Sequence, residues 1–226
     1  MINKKLVAVT CALLGTLATK AQTQKGNQLL GGFLGLTTSK GTNSNSMIGP
    51  NSIYDYTTDY RSNQFSIGPN YSYFIADNLD LGASVGYNHV KTKYTNTGYN
   101  FVNTPIENTA HAISGSIYLR KYLMFEQKIG FRAGPFVQYQ YSKSSDSYNN
   151  QVNDTGAQTN KSVDAGIGLD FVYFPTKRFG LATTLGSLAY SHTDQKQSLQ
   201  HQKSDSFGLN LATSGLTVSL FYSFGK

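Results

Sequence analysis

Three features of the chain predict an all-β fold, an eight-stranded antiparallel up-and-down transmembrane β-barrel. Large apolar residues alternate with small polar ones in eight separate runs. The connections between those runs alternate between about four residues and roughly 15–25. An export signal opens the chain, and no later apolar run reaches the roughly 20 residues of a helical span.

The signal reads MINKKLVAVTCALLGTLATKAQ. Lys4 and Lys5 precede an apolar run from Leu6 to Ala18, and Thr19 and Ala21 are the small residues a signal peptidase needs. Cleavage after Ala21 divides the chain into a signal peptide, 1–21, and a barrel domain, 22–226. Cys11 sits inside the apolar run and is poorly placed for lipidation. With Lys4, Lys5 and Lys20 removed, 16 of 19 basic residues remain against 12 acidic ones, a net charge near +4. That charge is too mild and too dispersed for nucleic acid. No cysteine remains, so no disulfide supports the exported chain.

The predicted strands are 27–38, 63–75, 79–90, 110–123, 128–142, 161–174, 179–190 and 206–224. The third shows Leu79, Leu81, Ala83, Val85 and Tyr87 on one face. In the fifth, Ile129, Phe131, Ala133, Pro135, Val137, Tyr139 and Tyr141 oppose Gly130, Arg132, Gly134, Phe136, Gln138 and Gln140. The sixth sets Val163, Ala165, Ile167, Leu169, Phe171 and Tyr173 against Asp164, Gly166, Gly168 and Asp170. The last offers Leu216, Val218, Leu220, Tyr222 and Phe224. A soluble β-protein would wet its polar face with long charged side chains, but here that face is small and nearly uncharged. Strands crossing hydrocarbon need about 9–11 tilted residues and must close, because an unpaired backbone group in lipid costs several kcal/mol. The large apolar face therefore points to lipid, and the small polar face fills an interior just wide enough for side chains.

The connections IADN, MFEQ and PTKR are short turns, and the others are long and rich in Asn, Ser, Thr, Gly and Tyr, as in SKSSDSYNNQVNDTGAQTNK. Barrels of the outer membrane have short turns at one pole and long loops at the other. YFIADNLDLGASVG (73–86) and YFPTKRFGLATTLG (173–186) repeat one hairpin solution. Tyr73, Phe125, Phe171, Tyr173, Phe179, Tyr222 and Phe224 fall near the short turns. Phe65, Tyr87, Tyr139 and Tyr141 fall near the long loops, which gives two candidate aromatic girdles. Pro69 and Pro135 interrupt strands, each after a glycine, so β-bulges are expected at Gly68-Pro69 and Gly134-Pro135.

The opening LLGGFLGL, the hairpin SIGPNYSYFIADNLDLGASVGY and the closing LTVSLFYSFGK resemble small bacterial outer-membrane β-barrel proteins of the OmpX and OmpA-barrel type. The resemblance covers residues 27–226. It implies eight strands, no peptidoglycan-binding domain, and insertion by the outer-membrane assembly machinery, which recognises a last strand ending in an aromatic. Phe224 fits that role, although Gly225 and Lys226 follow it.

Four charges take the inward phase near the short turns: Asp80, Arg120, Arg132 and Asp170. Buried ions must pair, so these form a structural salt-bridge plug or, in the alternative, the gate of a narrow channel. His89 and His111 take the outward phase at the loop ends of neighbouring strands. With Glu107 nearby they are the candidates for a lipid-modifying barrel enzyme, but Ser114 and Ser116 point inward and leave no nucleophile. Lys40, Asp55, Asp59 and Arg61 in the first long loop, and Lys143, Asp146, Asp154 and Lys161 in the third, nearly cancel. On that count no polybasic patch argues for binding to anionic lipopolysaccharide. Tyr54, Tyr56, Tyr60, Tyr94, Tyr99 and Tyr148 among small polar residues suit an adaptable binding surface for an extracellular ligand. No zinc spacing, phosphate loop or nucleophile motif is present, so no cofactor, metal or catalytic residue is expected. The sequence thus points to a monomeric outer-membrane barrel in contact with outer-membrane lipids, with a structural or surface-interaction role. The rivals are a narrow channel, the enzyme, and a secreted lipocalin-like soluble barrel, which would have a wet outside and an apolar cavity.

Overall fold

The computed structural model describes residues 22–48, 53–98, 106–148, 151–197, 200–211 and 216–225. The signal segment, Cys11 and Tyr99 lie outside the described residues. Among the described residues nine strands form one antiparallel sheet: β1 (Gln28–Ile48), β2 (Ile53–Ala76), β3 (Leu79–Gly98), β4 (Ile106–Phe125), β5 (Ile129–Tyr148), β6 (Gln151–Tyr173), β7 (Phe179–Gln197), β8 (Gln200–Leu211) and β9 (Leu216–Phe224). Strands β1 to β7 pair in chain order, and β9 joins β7 to β1, so the sheet returns on itself as a ring.

The first difference from the sequence reading is the strand count. The run expected as one strand over 206–224 consists of two segments, both against β7. β9 lies on Phe179–Thr183, and β8 lies on Gly186–Gln197. The cause is a change of phase. On β8 the outward residues are odd-numbered, with Phe207 72% exposed, whereas on β9 the even-numbered Leu220 and Phe224 face out. One unbroken pleat cannot carry both phases.

The second difference is length. Strands of 20–24 residues continue through sequence expected to be loop, including most of SKSSDSYNNQVNDTGAQTNK. At about 3.3 Å per residue such strands run roughly 70 Å, about twice what a tilted crossing needs. Their outer halves are rich in Ser, Thr, Asn and Tyr on both faces, so no apolar alternation marks them. Thr and Tyr still favour extended backbone. Tyr56, Tyr60 and Tyr94 accordingly sit on β2 and β3, with Tyr60 directly opposite Tyr94.

The third difference concerns the prolines. Neither predicted bulge is present. The register passes unshifted through Pro69 and Pro135, with Gly32 opposite Pro69 and Ile167 opposite Pro135. On the other side of each proline the pairing lapses for two residues and resumes in the same register. The register shifts fall instead at Phe74/Ala76, Ser144/Asp146 and Leu169/Asp170. A missing N–H removes one ladder bond but does not add a residue, so a proline need not displace its partner.

The facing of the wall agrees with the sequence. Leu81 is 51% exposed and Ile167 is 56% exposed on the outer surface. The buried core lies inside the ring at its short-turn end and consists of Leu29, Phe74, Tyr122, Val172, Phe174, Ala182 and Phe221. The repeated Tyr-Phe pairs explain part of it: Tyr73 and Tyr173 are exposed, whereas Phe74 and Phe174 are buried. The outer aromatics contact one another edge-to-face, Phe131 against Phe171 at 5.9 Å and Phe179 against Tyr222 at 5.3 Å.

Candidate functional site

Asp80 on β3 and Arg120 on β4 are direct partners in the ladder, as are Arg132 on β5 and Asp170 on β6. Their even phase turns all four inward. Arg120 donates from Nε to Asp80 Oδ1 at 3.1 Å and from Nη2 to Oδ2 at 2.8 Å, a bidentate pair. Arg132 Nε donates to Asp170 Oδ2 at 2.7 Å. Tyr122 joins the two pairs: its hydroxyl donates to Asp80 Oδ2 at 2.9 Å and accepts from Arg132 Nη1 at 3.2 Å. The four predicted charges therefore form one network, and Asp80 at its centre is 0% exposed. The Arg120 guanidinium also lies 3.7 Å over the Tyr118 ring.

Sequence reasoning missed the aromatic members of this plug. Tyr122 lies two residues from Arg120, so strand period alone would have placed it inward. Phe221 has the same off-phase position among the outward residues of β9. Phe74 packs on Tyr122 at 5.3 Å and Phe174 on Phe221 at 5.4 Å, an apolar layer beside the charges.

A strap formed by residues 22–27 closes the same end. Gly26 N donates to Phe74 O at 2.9 Å, and Phe74 N to Asn27 O at 2.9 Å. Asn78 N donates to Thr23 O at 2.7 Å, and Gln22 Nε2 to Thr176 O at 2.8 Å. Gln22, Thr23 and Asn27 are buried. On the loop side of the charges the interior opens to a cavity of about 300 Å³, lined by Ser84, Ser116, Gln138, Thr217, Arg120 and Arg132 among others. Its lining mixes ions, hydroxyls and amides with the rings of Phe33, Tyr118 and Phe136.

His89 and His111 oppose each other, as their phase predicts, with Nδ1 atoms 3.3 Å apart and rings 4.7 Å apart. The Tyr87 hydroxyl lies 2.6 Å from His111 Nδ1. Glu107 does not join them. It pairs with Lys91 and, at 3.3 Å, with Lys93. Those ammonium groups, chiefly Lys91, hold the Glu107 carboxyl below its ordinary value. Ser116 bonds Ser84, its ladder partner on β3, at 2.8 Å on the inner face. Among the described residues no group of three His, Cys, Asp or Glu is placed to hold a metal ion.

No family model and no curated protein matches the chain. Solved structures similar to it include the outer membrane protein OprG from Pseudomonas aeruginosa, 12% identical, covering 92% of this chain and 100% of that one, TM-score 0.49. A major outer membrane protein from Thermus thermophilus is 12% identical over 88% and 99%, TM-score 0.41. Ail, the attachment invasion locus protein of Yersinia pestis, is 12% identical over 89% and 100%, TM-score 0.40. Likenesses at this level carry no argument about ligand or activity, and they do not single out the OmpX or OmpA-barrel type.

Proposed function

We propose that the chain is an integral outer-membrane protein, a monomeric barrel of eight staves, with β8 and β9 as two parts of the last stave. Its role is structural or surface-interacting, exercised through the strand extensions and their connections, with the short-turn end shut. The observation that carries this is the inverted wall: aliphatic and aromatic side chains stand exposed around the outside, while paired ions lie within. An apolar groove of about 800 Å³ on that outside, bordered by Leu34, Ile67, Val85, Ile113 and Leu220, suits acyl chains and not water. Phe224, which ends β9, is the aromatic through which the assembly machinery would recognise the chain. The ion network, the aromatic layer and the strap lie in succession across one end, which favours a plug over a gate.

The test is extraction followed by conductance. The full chain should stay in membranes through carbonate and salt, come out only in detergent, and change its gel migration on heating. Reconstituted in planar bilayers it should pass no steady current. Release without detergent would sink the membrane reading. A parent current that changes in Arg120→Ala or Arg132→Ala would replace the plug with a gate.

A further inference from the structure

The cation count along the chain conceals a concentration that the ladder creates. Lys40 on β1 stands opposite Arg61 on β2, and Arg61 stands opposite Lys93 on β3. All three take the outward phase, in one row across three neighbouring strands. Like charges directly opposite in a sheet are destabilising, so such a row calls for an anion. Among the described residues Lys40 and Arg61 have no carboxylate within ion-pairing distance, whereas Lys93 shares Glu107 with Lys91. Asp59, the nearest other acid on that face, has an oxygen engaged by the Thr42 hydroxyl at 2.6 Å. The local balance is four cations, Lys40, Arg61, Lys91 and Lys93, against Asp59 and Glu107. The three cations of the row, with Thr42, Asp59 and Thr95, border a concave site of about 490 Å³.

The height of the row selects the ligand. Leu36, Phe65 and His89 form the outward row four residues nearer the bilayer. Four residues on strands tilted about 45° amount to roughly 9 Å of height, and each headgroup layer is about 5–8 Å thick. Long Lys and Arg side chains reach down through that distance. We infer that the row Lys40–Arg61–Lys93 is a binding site for the phosphate of an outer-leaflet glycolipid headgroup, with the guanidinium of Arg61 as the forked central donor. The inference rests on the outer-membrane reading and adds a ligand class and a site to it.

The test uses the full chain in zwitterionic detergent and native mass spectrometry. The probes are a bisphosphorylated glucosamine-disaccharide lipid, its dephosphorylated form, and inorganic phosphate. The phosphorylated lipid should bind saturably at one site, and the dephosphorylated lipid at least tenfold more weakly. With about fivefold affinity per cation, the triple variant Lys40→Gln, Arg61→Gln, Lys93→Gln should bind roughly a hundredfold more weakly. Neutralising Lys25, Lys128 and Arg178 at the opposite pole should change nothing. Equal binding of both lipids, or wild-type affinity in the triple variant, overturns the site. Inorganic phosphate binding as tightly as the lipid overturns the headgroup as its source. Heat-modifiable migration checks folding of the triple variant; if it does not fold, Lys40→Gln and Arg61→Gln singly, each about fivefold weaker, decide the matter. Loss of lipid binding specificity with detergent dependence intact defeats the site alone, whereas a parent that needs no detergent defeats the underlying reading.

Discussion

Gly134 and Asp80 show how narrowly single residues are specified inside this wall. A Cβ at Gly134 would lie 1.9 Å from the Leu119 carbonyl oxygen, and one at Gly68 would lie 2.0 Å from that of Val85. Both glycines precede the mid-strand prolines, where the ladder pairing lapses, so glycine there permits the close approach of neighbouring strands. Gly134→Ala should destabilise by about 1–3 kcal/mol, as overpacking does. Gly115→Ala, where a Cβ meets nothing within 4 Å, should be neutral or slightly stabilising. Urea midpoints in detergent would compare the two. Asp80→Asn leaves Arg120 and Tyr122 without their shared carboxylate, and breaking a buried pair costs about 3–5 kcal/mol. Tyr122→Phe should cost less, about 1–3 kcal/mol, because it removes a bridge and leaves the Asp80–Arg120 pair in place. A ranking with Tyr122→Phe the more damaging would mean that Tyr122, and not the carboxylate, organises the plug.

At the scale of elements, the outer halves of the strands are held by polar cross-strand contacts in place of a core. Thr58 and Asn96 bond across β2 and β3 at 2.7 Å, and Asn108 and Asp146 across β4 and β5 at 2.7 Å. Glu107 ties β4 to β3 through Lys91 and Lys93. Its folded-state value is depressed below 4.5, so its stabilisation is complete above the ordinary carboxylate range and is lost as pH falls through the depressed value. Below about pH 4.5 the β3–β4 extension should loosen. The protection of amides of 91–95 and 106–110, measured against their intrinsic exchange rate at each pH, should fall with acidification in the parent and stay flatter in Glu107→Gln. A parent profile identical to the variant's would show that the pair contributes nothing there. Asp194, which bonds His201 across β7 and β8 at 2.8 Å, is likewise held low, chiefly by that hydrogen bond.

For the whole molecule the decisive quantity is the medium around the ring. Ile117 is 61% exposed midway along β4, level with Ala83 and Val137. In water, arginine at such a site would cost almost nothing. At the midplane of a bilayer it should cost about 2–4 kcal/mol. Folding of Ile117→Arg into vesicles against the parent measures this directly, and parity between them would contradict the proposed setting. The closed end belongs to the same scale, because the strap precedes β1 while the ion network comes from β3 to β6 and the aromatic layer from residues as far apart as Phe74 on β2 and Phe221 on β9.

By itself the sequence determined the class of the chain, the short turns, the facing of the wall and the inward set Asp80, Arg120, Arg132 and Asp170. A period of two is a local property, and it fixes a side chain's face without knowledge of its neighbours. The polar strand extensions were not legible, because their two faces do not differ in polarity. Nor was the break between β8 and β9, which depends on where β7 shifts its register. Only the tertiary structure decided which charges meet: the linking of the ion pairs through Tyr122, the strap beneath them, and the row Lys40–Arg61–Lys93. Each joins residues tens of positions apart, and only the ladder's register brings them within reach of one another.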